Sequence, residues 1–167
     1  MSLELKRIAL DAVPLALAKA EKYRLLNEPG GAESICLDIL AVAPGQQEAL
    51  VCLLLSLTDQ FDDALEARVK EAKAILPRLK DEYARTYYAG IIAERRARAA
   101  IRQNLPGGSS SAYESLVAAM TAFAEAEKIR PAGNDDALLR WNACARVLNK
   151  NPKLQPASDE RFEGLLE

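Results

Sequence analysis

Three arginines near the middle of the chain, Arg95, Arg98 and Arg102, are spaced three and four residues apart. On a helix this spacing places their guanidinium groups in one stripe. Guanidinium groups bind carboxylates, phosphates and aromatic faces. We hypothesise that the stripe meets an acidic surface, either on a partner or on the acidic N-terminal half of a second copy. The simpler alternative, which the residues alone favour, is a solvated helix face.

Other residue types that carry out chemistry form no recognisable site. The chain has no histidine, which removes the commonest general base and transition-metal ligand. Cys36, Cys52 and Cys144 are far apart and lie in apolar stretches, which predicts three buried thiols in a reducing compartment. Asp81 and Glu82 are adjacent, so they point to different helix faces rather than into one cleft. We therefore predict a protein that is not an enzyme and has no cofactor and no metal site.

Composition and charge narrow the function classes further. The chain has 167 residues, half of them hydrophobic, which is enough for one domain with a continuous core. The net charge of −2 hides an uneven distribution: residues 1–67 carry 5 basic and 11 acidic side chains, and residues 68–102 carry 10 and 4. This pattern favours pairing between neighbouring helices. The acidic total argues against a nucleic-acid partner.

No apolar run is long enough to span a bilayer. The N-terminal residues lack the apolar centre and the cleavage site of a secretory signal. We therefore expect a soluble, cytoplasmic protein that does not bind a membrane.

Helical periodicity runs through almost the whole chain, and no segment alternates like a strand. Turn residues near positions 29, 44, 60, 77, 107 and 132 divide it. The predicted helices cover residues 3–12, 14–26, 32–42, 47–57, 63–77, 79–103, 112–129 and 137–148, with a short turn or helix after Ser158. We expect Gly30 and Gly31 to break the chain, and Asp62 or Asp63 to cap the fifth helix. The helix over 79–103 is predicted to project beyond its neighbours.

A repeated spacing links two of these helices. Ala119, Phe123, Ala126 and Pro131 are separated by four, three and five residues, and so are Ala32, Cys36, Ile39 and Pro44. Together with Ala20 and Tyr23 upstream, this pattern resembles the tetratricopeptide repeat (TPR), a helix–turn–helix unit of about 34 residues. In such packing, alanines let helices approach closely and one large side chain fills the hollow between them. We therefore expect Ala119 and Ala126 at helix contacts and Phe123 in the core.

The resemblance implies an all-α fold in which antiparallel helix hairpins stack as a short TPR-like right-handed superhelix. It covers residues 13–152, within a single domain at 1–153 that is followed by a tail at 154–167. Residues 13–46 have the usual repeat length, whereas the third unit, 79–131, is too long. Gly90 is the candidate small position of that unit. Trp141 and Cys144 lie in a final helix that resembles a cap.

In the resembled family the first helices of the pairs line a groove that holds a peptide or a partner helix. The corresponding candidates here are Leu17, Glu21, Arg24, Leu25, Val51, Leu55, Thr58, Tyr87, Ile91, Glu94 and Arg95, to which the stripe adds Arg98 and Arg102. For the leucines a core position is the preferred alternative. The expected function is a non-enzymatic module that binds a protein or peptide. The alternatives are a homo-oligomeric assembly subunit and, third, a helical nucleic-acid binder or enzyme.

Overall fold

A computed structural model describes residues 2–157 of the chain. All regular structure in that range is helical, which confirms the all-α prediction. The helices are α1 (Val13–Leu25), α2 (Pro29–Val42), α3 (Gln47–Thr58), α4 (Leu65–Ile75), α5 (Glu82–Gln103), α6 (Gly108–Lys128) and α7 (Asp136–Lys150). Short 3₁₀ turns occupy Leu10–Ala12 and Leu76–Arg78. The turn or helix predicted after Ser158 lies outside the described residues.

Local sequence signals explain where several helices begin and end. Pro14 and Pro29 lie in the first turns of α1 and α2, where a missing N–H costs nothing. The Asp81 carboxylate accepts a hydrogen bond of 3.2 Å from the backbone N–H of Ala84 and so caps α5. For this reason α5 begins at Glu82 rather than at Leu79 as predicted. Asn104, in the left-handed conformation with φ 47°, ends the same helix.

Three other predicted boundaries are wrong. Residues 3–9 are not helical, and only Leu10–Ala12 forms a 3₁₀ turn. Neither Asp62 nor Asp63 caps α4, which begins after Ala64 without a side-chain cap. The loop predicted before Ala112 is shorter than expected, because α6 already begins at Gly108.

Gly30 and Gly31 do not break the chain but form part of the first turn of α2. Gly31 lies against the ring of Tyr23, and a Cβ at this position would be 3.1 Å from the ring carbon Cδ2. Glycine therefore lets α1 and α2 approach closely, and the residue acts through packing rather than as a helix breaker.

Each helix packs against the next one in the chain, and α1 also contacts α3, which in turn contacts α5. The buried side chains form two clusters. The first core cluster lies among α1 to α4 and one face of α5, with Leu50, Leu54 and Phe61 at its centre. The second core cluster joins α5, α6 and α7 around Phe123. Leu154, beyond the predicted domain boundary, packs against this second cluster.

Phe123 is fully buried in the second core cluster, as predicted. Ala119 and Ala126, on the same face of α6, are also completely buried. The ring of Phe123 packs directly on Gly90 of α5, where a Cβ would lie only 2.6 Å from the ring carbon Cε1. The absence of a side chain at Gly90 thus creates the hollow that Phe123 fills.

The far end of α5 does not project as an isolated helix. α6 has 21 residues against 22 in α5 and packs along it. Ala97, Ala99 and Ala100 are buried, and they belong to the two core clusters. The alanines between the arginines allow close packing, so this end of α5 is core on one side and charged on the other. Within residues 2–157, none of the helices combines the length and the apolarity needed to cross a bilayer.

Candidate binding trough

Two adjoining cavities lie along α1, α3 and α5, and we call them together the trough. The apolar cavity has a volume of about 600 Å³, and its walls include Val51, Leu55 and Tyr88. The basic cavity has a volume of about 560 Å³. Both cavities are lined by Arg24 and Leu25, so they meet at the end of α1.

Helical spacing explains why one cavity is mainly apolar and the other charged, although Glu21, Glu48, Lys80 and Asp81 also line the first. On α3, Val51 and Leu55 are four residues apart and share a face, which continues one turn later to Thr58. On α5, Tyr88 lines the apolar cavity, and Arg95 follows it two turns later in the basic cavity. Both helices thus pass from the apolar to the basic cavity towards their C-termini, which means that α3 and α5 run in the same direction.

The basic cavity brings five arginines together with three carboxylates. The arginines are Arg24, Arg95, Arg98, Arg102 and Arg140, and the carboxylates are Asp59, Asp62 and Glu94. These eight side chains carry two more positive than negative charges. Because the cavity walls have low polarisability compared with water, this excess creates a positive potential inside.

Asp59, the residue directly after α3, forms ion pairs with one arginine of α1 and one of α5. Its carboxylate pairs with Nε of Arg24 at 2.7 Å and with Nη1 of Arg95. Arg95 also donates to the Thr58 hydroxyl, at 3.1 Å, and this hydroxyl donates to the Leu55 carbonyl. Burial lowers the pKa of Arg95, whereas Asp59 opposes that shift. α1, α3 and α5 are therefore tied together at the point where the two cavities meet.

Glu94 is the most deeply buried charge of the trough, with a side chain only 2% exposed. Its Oε1 accepts from Nη2 of Arg98 at 2.6 Å and lies 3.5 Å from Nη1 of Arg140. Burial disfavours the charge on Arg140, but Glu94 and the Tyr87 hydroxyl outweigh it and raise the pKa of Arg140. Oε2 of Glu94 has no hydrogen-bond partner among the described residues. This carboxylate thus holds two arginines at the wall of the basic cavity.

The arginine stripe finds acidic partners within the same chain. Arg95 pairs with Asp59, and Arg102 binds Asp62 through Nε and Nη2 at 3.2 and 3.0 Å. These two aspartates belong to the acidic N-terminal half of the same chain, whereas we expected the stripe to meet an acidic surface on a partner or on a second copy. Arg98 and Arg102 nevertheless remain 47% and 56% exposed at their side chains, so both are accessible to a further anion.

Most of the predicted groove residues come together. Arg24, Thr58, Arg95, Arg98 and Arg102 all line the basic cavity. Leu25, Val51 and Leu55 line the apolar one, together with Glu21.

Three predicted groove residues lie elsewhere. Leu17 is 7% exposed and Ile91 is 2% exposed, because both face the core. Tyr87 does not line either cavity: its ring stacks on Tyr83 at 5.6 Å and packs against Phe123 at 5.8 Å. Its helix position turns it towards α6 rather than towards α3.

Sequence reasoning missed Asp59, Asp62 and Arg140. The two aspartates lie around a turn, and Arg140 lies on the helix that resembled a cap. No periodic spacing in the sequence indicates that these three residues lie beside α5. The only available signal was the charge distribution, which favoured pairing between helices.

All three cysteines are free and buried, as predicted. Cys52 lines the apolar cavity and is 5% exposed. The Cys36 thiol donates a hydrogen bond to the sulfur of Cys52, which raises the pKa of Cys36 and lowers that of Cys52. Burial and the nearby Glu94 carboxylate raise the pKa of Cys144 to about 12.

We expect iodoacetamide to modify Cys52 before the other two cysteines in the native protein. The thiolate is the reactive form, and only Cys52 combines a lowered pKa with a position on a cavity wall. Mass spectrometry of quenched time points measures the order of modification. In urea all three thiols should react at similar rates, which is the control. Equal native rates for Cys144 and Cys52 would contradict the described environment.

Among the residues that the structure describes, no group of three or more acidic or cysteine side chains is placed to hold a metal ion.

Comparison of the chain with protein-family models, with curated proteins and with solved structures gave no match.

Proposed function

We propose that this chain is a non-enzymatic binding module that holds a segment of another protein in the trough. The observation that carries the proposal is the pair of adjoining cavities along α1, α3 and α5. Each has a volume within the range of about 300–1,000 Å³ that is usual for ligand sites. Partly buried apolar side chains beside charged ones match the way in which peptides and helices dock into helical grooves.

The proposal includes a TPR-like arrangement of the helices. Three features support it: α1, α3 and α5 are successive neighbours, α3 and α5 run in the same direction, and Phe123 of α6 fills the hollow at Gly90. In such a stack the first helices would line the concave side, and the trough lies along α1, α3 and α5. The superhelix would be right-handed and short, with α7 as its final helix. The three free thiols fit a reducing compartment such as the cytoplasm.

Selection from a random peptide display library tests this function. Selected peptides should bind the purified chain in fluorescence anisotropy, and Val51→Arg should weaken binding at least about tenfold, because a cation then occupies the apolar cavity. The matched control is Leu37→Arg on α2, at a side chain that is 53% exposed and outside the trough. Thermal melts establish that both variants fold. A library without binders, or binders insensitive to Val51→Arg, would refute the proposal.

A homo-oligomeric assembly subunit remains the second candidate, and an apolar surface on α6 and α7 favours it. Val117 and Trp141 are 41% and 37% exposed there. Val117 and Trp141 line a cavity of about 370 Å³ together with Leu148. Sedimentation at increasing concentration separates the two candidates. A dimer that Trp141→Arg dissociates would favour assembly through this surface, and a monomer at all concentrations would refute it.

A further inference from the structure

One cavity of the trough has an excess of positive charge and the other has a mainly apolar surface, and this asymmetry points to a particular class of peptide. We propose that the trough binds an extended acidic segment that carries a bulky apolar side chain a few residues from its carboxylates. This inference rests on the proposed binding function and adds the chemistry of the partner.

The charge excess of the basic cavity supplies the first argument. Among the described residues that line the cavity, five arginines face three carboxylates, so two positive charges there lack an acidic counterpart. Asp59 is shared by Arg24 and Arg95, and Glu94 is shared by Arg98 and Arg140. Each pair of arginines therefore has one carboxylate where two would balance the charge. An acidic ligand supplies the missing carboxylates.

Unused hydrogen-bond donors supply the second argument. A guanidinium group has five N–H donors. Arg98 uses only Nη2 in the described structure, and Arg102 uses Nε and Nη2. Because both side chains are about half exposed, their remaining N–H groups can bind a carboxylate without breaking the bonds to Glu94 and Asp62. The stripe is therefore paired within the chain and still able to bind an anion.

The distance between the cavities sets the spacing of the ligand. Tyr88 in the apolar cavity lies seven residues before Arg95 and fourteen before Arg102. A helix rises 1.5 Å per residue, so these separations are roughly 10 and 21 Å. An extended segment advances about 3.3 Å per residue. Its carboxylates should therefore be about three to six residues from its apolar side chain.

A synthetic peptide with acidic residues on both sides of a Leu-Phe pair meets this spacing in either chain direction. The peptide DDEGSLFSGEDD has carboxylates about three to five residues from the pair. Two counterparts change one feature each: NNQGSLFSGQNN replaces the carboxylates by amides, and DDEGSGGSGEDD removes the apolar pair. Fluorescence anisotropy with the whole chain should show binding of the first peptide at least about tenfold tighter than of either counterpart.

Variants of the protein locate the contact. Arg102→Glu, at an exposed position, should weaken binding of the acidic peptide at least about tenfold and reduce its dependence on salt. The matched control is Arg146→Glu, an exposed arginine of α7 outside the trough, which should leave the affinity unchanged. The bound peptide should also slow alkylation of Cys52, since this thiol lies on the wall of the apolar cavity. Circular dichroism melts establish that the variants fold.

The outcomes separate this inference from the proposed function. Equal affinity for the acidic peptide and its amide counterpart would overturn the inference, and so would the absence of binding at about 1 mM. Peptides from the display library that still require Val51 would in either case leave the binding function standing. If the acidic peptide binds equally to the wild type and to Arg102→Glu, and Cys52 is not protected, it binds elsewhere and the inference is overturned.

Discussion

Replacing Phe123 by alanine should lower the free energy of unfolding by about 3–5 kcal/mol. The ring is completely buried in the second core cluster, among α5, α6 and α7. It packs on Gly90, which has no side chain that could move into the space. The cavity left behind therefore cannot collapse easily. Urea denaturation followed by circular dichroism measures the loss.

Two further variants control this result. Val117→Ala, on the exposed side of the same helix, should change stability by less than about 0.5 kcal/mol. Gly90→Ala should destabilise through its clash with the ring, and less so when Phe123 is also replaced by alanine, because the smaller residue leaves room. A loss below about 1 kcal/mol for Phe123→Ala would contradict the packing described for α5 and α6.

Replacing Phe61 by alanine should also cost about 3–5 kcal/mol, although this residue lies in the turn between α3 and α4. Its side chain is 1% exposed and packs in the first core cluster. Phe61 anchors the turn that carries Asp59 and Asp62 to the arginines of α5. Urea denaturation followed by circular dichroism measures the loss.

Leu26→Ala is the matched control, since this residue also lies in a turn but is 58% exposed. Its effect on stability should stay within about 0.5 kcal/mol. If Phe61→Ala were equally mild, the turn would not depend on this ring. The positions of Asp59 and Asp62 would then need another explanation.

The sequence predicts those parts of the fold that depend on spacing along one helix. The positions of Ala119, Phe123 and Ala126 follow from a single helical face, and all three are buried. The arginine stripe likewise follows from its spacing, and its members line one cavity. Such patterns survive in the sequence because helix geometry alone brings the side chains together.

Features that depend on contacts between distant segments were not predictable in this way. Phe61 stands among polar residues in TDQFDD, a composition typical of an exposed turn, yet it is in the core. Gly31 is a helix breaker by propensity, but its place against Tyr23 makes it a packing residue. Arg140 reaches Glu94 from α7, about 46 positions later in the sequence. Only the folded chain reveals these relations.

The division of the core into two clusters has a consequence for cooperativity. Leu55 and Tyr88 pack against both clusters, whereas α5 touches α3 and α4 only over short stretches. Two regions joined in this way can open separately, and each then has its own rate of amide hydrogen exchange. The trough crosses the boundary between the two clusters. Val51 packs against the first cluster, and Arg140 lies on α7, which belongs to the second. A bound peptide would therefore contact both regions and couple their unfolding, so that the two clusters unfold in one cooperative event.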